Sequence, residues 1–259
     1  MTSGVERIRA ILEKPRGRIA LMPYFPLGYP TRKKAVEFLR DLAGLSDIIE
    51  LGFPFSDPVA DGPVIQRATE IALRAGIQTR GLLADIAELS MAAASPRGPA
   101  LVAMTYGNLV SSYGAARFVA DIARAGAHGL IVPDLPAGER LEPAARRGTA
   151  LPELLARKGL ASIQLITPTT TAARRKYIDH HATGFVYYVQ VTGVTGARRS
   201  LDPSLFAALR RARRAFRNPV CVGFGISSPE HIRRLIGHAS GAIIGSALVG
   251  AYRDGGARG

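Results

Sequence analysis

Three carboxylates lie in one stretch of the sequence that is rich in proline and glycine. Glu50 follows an apolar pair, and Asp57 and Asp61 lie in the loop that leads to Pro63, where a helical pattern begins. Proline fixes φ and has no N–H to donate, so such a loop holds one shape at a smaller entropic cost than a Gly/Ser loop of equal length. Carboxylates on a stiff loop suggest a positioned acid or base.

The elements that must position this loop repeat along the chain as short apolar runs, each followed by a helical pattern. Strands are predicted at residues 19–22, 47–51, 100–105, 129–132, 162–166, 185–189, 220–223 and 242–244. Helices are predicted at residues 3–14, 31–43, 63–75, 79–92, 115–125, 171–180, 203–216 and 229–236, with an irregular helical stretch between 139 and 158 and a last helix that ends near 252.

The predicted strands are near-continuous apolar runs, as expected when both faces of a sheet are covered. Eight strand–helix units over 259 residues predict an α/β fold, a (β/α)8 TIM barrel with an extra N-terminal helix. An open doubly wound sheet is the alternative, but no G-x-G-x-x-G turn follows the first strand. Because no linker or change of composition divides the chain, residues 1–259 are expected to form a single barrel domain.

The sequence also indicates where the protein is located and whether it contains a disulfide. Residues 1–18 carry charges throughout and contain no apolar segment typical of a secretory signal. The longest apolar stretches, 19–30 and 241–252, are too short or too broken by proline and glycine to cross a bilayer. The one cysteine, Cys221, excludes an intramolecular disulfide. These features predict a soluble, cytoplasmic protein without a membrane segment.

The net charge of +14 raises the question of nucleic-acid binding, because basic surfaces attract phosphates. The densest cluster of arginines falls in residues 205–217, where Leu205, Leu209, Ala212 and Phe216 form an apolar stripe on the opposite side at helical spacing. No aromatic platform or basic repeat accompanies the cluster. A solvated helix face is therefore favoured, and no nucleic-acid partner is expected.

In a barrel of this kind the active site is built from the segments that follow the strands. No lysine follows a predicted strand closely, which leaves a Schiff-base mechanism without its nucleophile. No histidine follows a strand closely, and the single cysteine precedes a strand end, so a His/Cys metal site is not expected. The remaining chemistry is acid–base catalysis by carboxylates, without a metal or a cofactor.

Glycines are concentrated after the last three predicted strands, in segments 193–196, 223–227 and 245–246. Backbone amides at helix starts favour a phosphate group, and the loops after strands seven and eight are the usual phosphate site of this fold. Glycines that merely allow tight turns are the alternative. Apolar and aromatic residues are expected to line a pocket next to them, with ordinary core packing as the alternative for each: Tyr24, Phe25, Ile65, Tyr106, Tyr187 and Phe224.

One long motif and several short ones occur in order over nearly the whole chain. They are Pro23-Tyr24 to Pro30, Glu50-Leu51-Gly52-x-Pro54-Phe55-Ser56-Asp57-Pro58-x-Ala60-Asp61-Gly62-Pro63-x-Ile65-Gln66, Pro133-Asp134-x-Pro136, Gly193-Val194-Thr195-Gly196, Gly223-Phe224-Gly225-Ile226 and Gly245-Ser246. Together these motifs resemble the tryptophan synthase alpha chain family. The long motif is highly specific, whereas the glycine motifs alone would fit many phosphate-binding barrels.

The resemblance implies a lyase of tryptophan biosynthesis, which cleaves indole-3-glycerol phosphate by a retro-aldol reaction to indole and D-glyceraldehyde 3-phosphate. By motif match, Glu50 and Asp61 occupy the two catalytic positions. Tyr187 and Thr195 match the family's active-site tyrosine and closing-loop threonine, and Gly225 and Gly245-Ser246 match its phosphate cradle. The residues expected to bind substrate are Tyr24, Ile65, Tyr106, Tyr187, Thr195, Gly196, Phe224, Gly225, Gly245 and Ser246.

The resemblance also implies a partner, the tryptophan synthase beta chain, in an α2β2 heterotetramer. Pyridoxal phosphate is expected only in that beta chain and no cofactor in this one. Asp57 is expected at the partner-facing edge of the loop, with simple turn chemistry as the alternative. Two other functions remain open: a stand-alone lyase that releases free indole, and a catalytically weak protein that mainly activates a beta chain.

Overall fold

The chain forms a closed parallel barrel wrapped by helices, seen in a computed structural model that describes residues 2–13, 17–139, 149–190, 201–223 and 225–255. The strands are β1 (Ala20–Pro26), β2 (Ile48–Gly52), β3 (Ala100–Met104), β4 (Gly129–Ile131), β5 (Ala161–Ile166), β6 (Val186–Val189), β7 (Val220–Gly223) and β8 (Gly241–Ile244). The helices in these ranges are α1 (Gly4–Leu12), α2 (Arg32–Ala43), α3 (Pro63–Arg74), α4 (Thr79–Ala92), α5 (Gly107–Tyr113), α6 (Ala115–Arg124), α7 (Leu151–Arg157), α8 (Ala172–His181), α9 (Pro203–Ala215), α10 (Pro229–Leu235) and α11 (Ser246–Gly255).

The strands follow one another around the barrel in chain order, and each pairs in parallel with both of its neighbours. β1 closes the barrel against β8, with Ala20 opposite Gly241. All eight carboxyl ends therefore meet at one mouth of the barrel, where the segments that follow the strands come together. The predicted (β/α)8 barrel with an N-terminal helix is confirmed.

Side chains on each strand alternate between the barrel interior and the helix layer, because successive residues point to opposite faces. On β2, Ile48 packs in the interior cluster, whereas Ile49 and Leu51 pack against the surrounding helices. Glu50, two residues after Ile48, therefore lies on the interior face. A carboxylate at this position is placed in the centre of the barrel by the same alternation that builds the core.

Helix α1 packs at the amino-terminal end of the barrel. The Ser3 hydroxyl accepts a hydrogen bond from the Glu6 amide at 3.2 Å, and the Glu6 carboxylate accepts one from the Ser3 amide at 2.8 Å. This capping box satisfies two donors that the first turn would otherwise leave unpaired. Ile8 packs in the interior cluster with Ala20, the first residue of β1. The predicted leading helix is confirmed.

Two predictions of secondary structure are wrong. β1 does not stop at residue 22 but continues through Pro26, because Tyr24 and Pro26 pair with Glu50 and Gly52 of β2. A proline removes only its own donor, so its neighbours can still complete the ladder. Helix α5 occupies residues predicted to be loop, since seven residues are too few to show a helical period in the sequence. Of the irregular stretch, α7 is helical and residues 140–148 lie outside the described residues.

The outer surface carries the arginine cluster, on helix α9. Leu205, Leu209 and Ala212 are buried, and the arginines on the opposite side are exposed: Arg210, Arg211, Arg213 and Arg214. Arg217, just after the helix, is exposed as well. The interpretation as a solvated helix face is confirmed. In the ranges the structure describes, no helix has both the length and the apolar composition needed to cross a membrane.

Candidate active site

Glu50 is a carboxylic acid enclosed in the barrel interior. The residue is 1% exposed, and its Oε2 atom is buried without a hydrogen-bond partner among the residues that the structure describes. Burial, and secondly the charge of Asp61, raises the pKa of Glu50 to about 8, because removal from water disfavours the charged form. At neutral pH Glu50 is therefore mostly protonated and able to donate a proton.

Asp61 lies at the far end of the same loop, two residues before α3 begins. Its Oδ2 atom accepts a hydrogen bond from the Tyr106 hydroxyl at 3.0 Å, and its carbonyl accepts one from Gln66 Nε2 at 2.9 Å. Burial raises the pKa of Asp61 to about 6, while the bond from Tyr106 lowers it. Asp61 is therefore mostly ionised at neutral pH, in contrast to Glu50.

Tyr106 joins the end of β3 to this loop. Besides donating to Asp61, its hydroxyl accepts a hydrogen bond from the Ala60 amide at 3.2 Å. Its ring stacks on Phe55, with centroids 4.9 Å apart and an interplanar angle of 21°. The next residue, Gly107, donates its amide to Asp134 Oδ1 at 2.9 Å, which ties the ends of β3 and β4 together.

Two buried tyrosines share the interior with Glu50. Tyr24 lies opposite Glu50 in the pairing of β1 with β2. Burial, followed by the charges of Asp61 and Glu50, raises the pKa of Tyr24; burial, followed by the charge of Glu50, raises that of Tyr187. Each ring lies directly over a glycine, Tyr24 over Gly52 and Tyr187 over Gly223, where an added Cβ would collide with the ring. Each ring can occupy its position only because the neighbouring strand has a glycine, and so no side chain, at that point.

Gly245 and Ser246 lie where β8 passes into α11. A Cβ atom at Gly245 would lie 3.2 Å from Ile65 Cδ1 and 3.5 Å from Tyr24 Cδ1, so this glycine faces the predicted apolar pocket. Ser246 is the first residue of α11, and amides at a helix N-terminus attract anions. Gly225 follows β7 at an exposed position with φ of +74°. Three predicted site residues lie outside the described residues: Thr195, Gly196 and Phe224.

Phe25 does not line the pocket, so that prediction is wrong. It follows Tyr24 on β1 and therefore points to the opposite face of the strand. Its ring packs in the helix layer, with centroids 4.8 Å from Phe38 and 5.2 Å from Tyr252. Ordinary core packing, the alternative considered for each pocket residue, is the correct description for Phe25.

Phe55 and Asp134 support the site, although the sequence assigned neither of them a role there. Phe55 stacks on Tyr106, and Asp134 holds the amide that follows Tyr106. Both belong to motifs that carry the family resemblance, which is the signal that could have singled them out. Their contacts join segments that follow different strands, and a single sequence does not show which of these segments touch.

The described residues bring together groups that can handle protons in an apolar setting. Glu50 can donate a proton, Asp61 can hold a polar N–H and stabilise positive charge, and the helix start at Ser246 can accept an anion. Within the described part of the chain, no three His, Cys, Asp or Glu side chains are grouped to hold a metal ion.

Comparison with known proteins identifies the family to which this chain is similar. A family model described as "Tryptophan synthase alpha chain" matches residues 11–257. The tryptophan synthase alpha chain of Roseiflexus castenholzii is 47% identical over 235 residues, covering 90% of this chain and 85% of the relative. That of Streptomyces coelicolor is 39% identical over 237 residues, covering 91% and 83%.

Solved structures give the same result. Tryptophan synthase from M. tuberculosis, in an open form with BRD0059 bound, superimposes with a TM-score of 0.83 at 34% identity and covers 97% of this chain and 93% of that one. The tryptophan synthase A-subunit of Pyrococcus furiosus gives 0.80 at 35% identity, covering 92% and 91%. With the barrel, the ordered motifs and these relatives in agreement, the chain belongs to the tryptophan synthase alpha chain family.

Proposed function

We propose that Glu50 and Asp61 are the two residues with which this chain carries out the reaction of its family. As a member of that family the chain is a lyase that cleaves indole-3-glycerol phosphate to indole and glyceraldehyde 3-phosphate. The observation that carries the assignment of roles is the contrast between two neighbouring carboxyl groups: no described residue donates to the buried Oε2 of Glu50 on β2, whereas Asp61, in the loop after β2, accepts a hydrogen bond from Tyr106. Their pKa values, raised to about 8 for Glu50 and to about 6 for Asp61, agree with this contrast. Pairs of acids whose environments separate their pKa values divide into proton donor and stabilising anion.

The proton steps follow from these states. Glu50 donates a proton to C3 of the indole ring, which leaves positive charge on the ring nitrogen. Asp61 accepts a hydrogen bond from the ring N–H and stabilises that charge. The ionised Glu50 then takes the proton of the glycerol hydroxyl as the bond between C3 and the glycerol carbon breaks, which gives indole and the aldehyde. Glu50 ends the cycle protonated, and no external acid is consumed.

The other predicted residues bind the substrate in this proposal. Tyr24, Ile65, Tyr106 and Tyr187 surround the indole ring, supported by their burial around Glu50 and Asp61. The phosphate is held by amides at Gly225, Gly245 and Ser246. Thr195, Gly196 and Phe224 keep the binding roles that the family motif assigns to their positions.

The partner is proposed on the same basis. A tryptophan synthase beta chain would receive the indole in an α2β2 heterotetramer, and the pyridoxal phosphate would belong to that beta chain. Asp57 and Val59 on the catalytic loop are exposed, Val59 at 81%, and we place Asp57 on the partner-facing edge. Residues 1–259 are taken as one barrel domain, in the cytoplasm, where amino-acid biosynthesis takes place.

A turnover assay of the purified chain, with and without a beta chain, tests this function. Strong stimulation of cleavage by the beta chain is the expected result. Efficient cleavage by the chain alone would favour a stand-alone lyase, and activation of the beta reaction without cleavage would favour a weak activator. Failure to bind indole-3-glycerol phosphate under any of these conditions would overturn the proposed function.

The phosphate site has a separate test, Gly245→Val. Because a Cβ there already approaches Ile65 and Tyr24, the larger side chain should obstruct the cradle and weaken binding of glycerol phosphate by about tenfold or more. Gly250→Ala, in the helix α11 that follows Gly245, is the control, since an added Cβ at Gly250 meets nothing within 4 Å. Unchanged affinity of Gly245→Val in calorimetric titration would move the phosphate site elsewhere.

A further inference from the structure

The contacts of Tyr106 give it a task beyond lining the pocket. Its hydroxyl makes two hydrogen bonds of opposite direction, accepting from the Ala60 amide at 3.2 Å and donating to Asp61 Oδ2 at 3.0 Å. An amide can only donate, so the Ala60 N–H occupies an acceptor position of the oxygen and leaves the hydroxyl proton for Asp61. The direction of the bond to Asp61 is thereby fixed.

The ring of Tyr106 holds the same loop at a second point. It stacks on Phe55, near the start of the loop, while the hydroxyl holds Ala60 and Asp61 near its end. Between these points Ser56, Asp57 and Val59 are exposed, and the Pro58 carbonyl accepts hydrogen bonds from the Asp61 amide at 3.2 Å and from Gln66 Nε2 at 3.5 Å. One side chain from the segment after β3 thus contacts both ends of the loop that follows β2.

Tyr106 is itself anchored from the next strand. The Asp134 carboxylate accepts the amide of Gly107 at 2.9 Å, which fixes the backbone directly after Tyr106. Tyr106 is 3% exposed, and Thr105, just before it, donates its amide to the Ile131 carbonyl at 3.0 Å. The backbone that carries the phenol is therefore anchored to β4 and to the segment after it, independently of the loop.

We propose, resting on the function proposed above, that Tyr106 is a positioning residue that holds Asp61 in place and presents its Oδ1 atom to the substrate's ring N–H. Oδ2 is occupied by the phenol, and no described residue donates to Oδ1. A hydrogen bond donated to a carboxylate also favours its ionised form. The phenol therefore helps to keep Asp61 ionised, which is the form that stabilises positive charge on the ring nitrogen. Tyr106 acts through Asp61 and takes no proton itself.

The groups that face Asp61 agree with this role. Glu50 comes from β2, Tyr24 from β1 and Tyr187 from β6, and the charge of Asp61 raises the pKa of each, after the effect of burial. Tyr106 is the neighbour whose hydrogen bond lowers the pKa of Asp61 itself. Without the phenol, burial would act on Asp61 unopposed and its pKa would rise above about 6.

The test is Tyr106→Phe, which keeps the ring on Phe55 and removes only the hydroxyl. The acid limb of the pH profile of kcat/KM should move to higher pH, because a larger share of Asp61 is protonated. At the pH optimum kcat/KM should fall about 10- to 100-fold, the usual effect of losing a hydrogen bond to a charged group. Affinity for glycerol phosphate, which reports only the phosphate end, should stay unchanged.

Tyr113→Phe is the matched control. Tyr113 donates its hydroxyl to Asp121 Oδ2 at 2.8 Å, so the control removes the same type of bond on the outer helices. Its pH profile should coincide with that of the wild type. Asp134→Asn is a second variant, which weakens the anchor of Gly107 and should shift the acid limb in the same direction by a smaller amount.

Asp61→Asn separates this inference from the proposed function. If Asp61→Asn keeps normal turnover, the role proposed for Asp61 fails. If it loses turnover while Tyr106→Phe keeps the wild-type acid limb and kcat/KM within about twofold, the role of Tyr106 alone is overturned. A lower melting temperature of Tyr106→Phe with an unmoved acid limb would reduce Tyr106 to a structural residue and overturn the proposal equally.

Discussion

Asp47 and Glu50 are three residues apart in the sequence but lie in different surroundings, at the amino-terminal mouth and in the interior of the barrel. Asp47 precedes β2 at the amino-terminal mouth, where its carboxylate accepts hydrogen bonds from Arg18 at 2.7 Å and from the Leu21 amide at 3.0 Å. Glu50 lies in the interior with an oxygen that has no partner. Both residues are buried, at 9% and 1% exposure, so burial alone does not distinguish their tasks.

Asp47 and Glu50 differ in whether hydrogen-bond donors compensate the charge of the buried carboxylate. Asp85, a third buried carboxylate, accepts two bonds from Arg32 at 3.0 and 2.6 Å and thus resembles Asp47. A buried carboxylate with its partners in place stabilises the fold, whereas one left without them is destabilising unless it becomes protonated. Glu50 is held in that second state, which suits a group that must give and take a proton.

The contrast between Asp47 and Glu50 should be largest in catalytic activity. Glu50→Gln should lower kcat for indole-3-glycerol phosphate by about 10²- to 10⁴-fold, because the amide cannot transfer the proton, while glycerol phosphate still binds. Asp47→Asn, with the same chemical change at the other mouth, should leave kcat per folded molecule within about threefold. Near-normal turnover of Glu50→Gln in steady-state assays would remove Glu50 from the catalytic role.

The protonation of Glu50 should also appear in the pH dependence of stability. The pKa of Glu50 is raised in the folded state from 4.5 to about 8, so the folded chain holds a proton that the unfolded chain releases between these values. The free energy of unfolding should therefore fall as pH rises from about 5 to about 8, by on the order of 3–5 kcal/mol relative to Glu50→Gln. Urea titrations of both proteins across this range measure the difference. Parallel curves would show that Glu50 is not held protonated.

Stability should respond to Asp47 by a smaller amount. Asp47→Asn weakens charged hydrogen bonds to Arg18 and to Leu21, and should lower the free energy of unfolding by about 2 kcal/mol at neutral pH. Asp57→Asn is the control, since Asp57 is exposed and should change stability by less than about 0.5 kcal/mol. If the two substitutions lower the free energy of unfolding equally in urea titrations, the hydrogen bonds of Asp47 stabilise the fold no more than the exposed carboxylate of Asp57 does.

Much of the fold follows from local patterns. The helix at Pro63, the caps at Ser3 and Thr31 and the eight apolar runs correspond to elements in the structure. The sequence also placed Glu50 on the strand β2, Asp61 in the loop that follows it, and Gly245-Ser246 where the last strand passes into the last helix. These features were predictable because each depends on residues near one another in the chain.

The sequence predicted the eight strands in order and most of the helices, and it indicated that carboxylates rather than lysine, histidine or cysteine follow the strands. Only the tertiary structure decided which of the neighbouring residues Tyr24 and Phe25 faces the site, and that Tyr106 reaches Asp61 across 45 residues of chain. It also decided that Asp47 would be paired and Glu50 left without a partner. The physical reason is that desolvation and hydrogen bonding between the ends of different strands depend on the closed barrel, which no local period encodes.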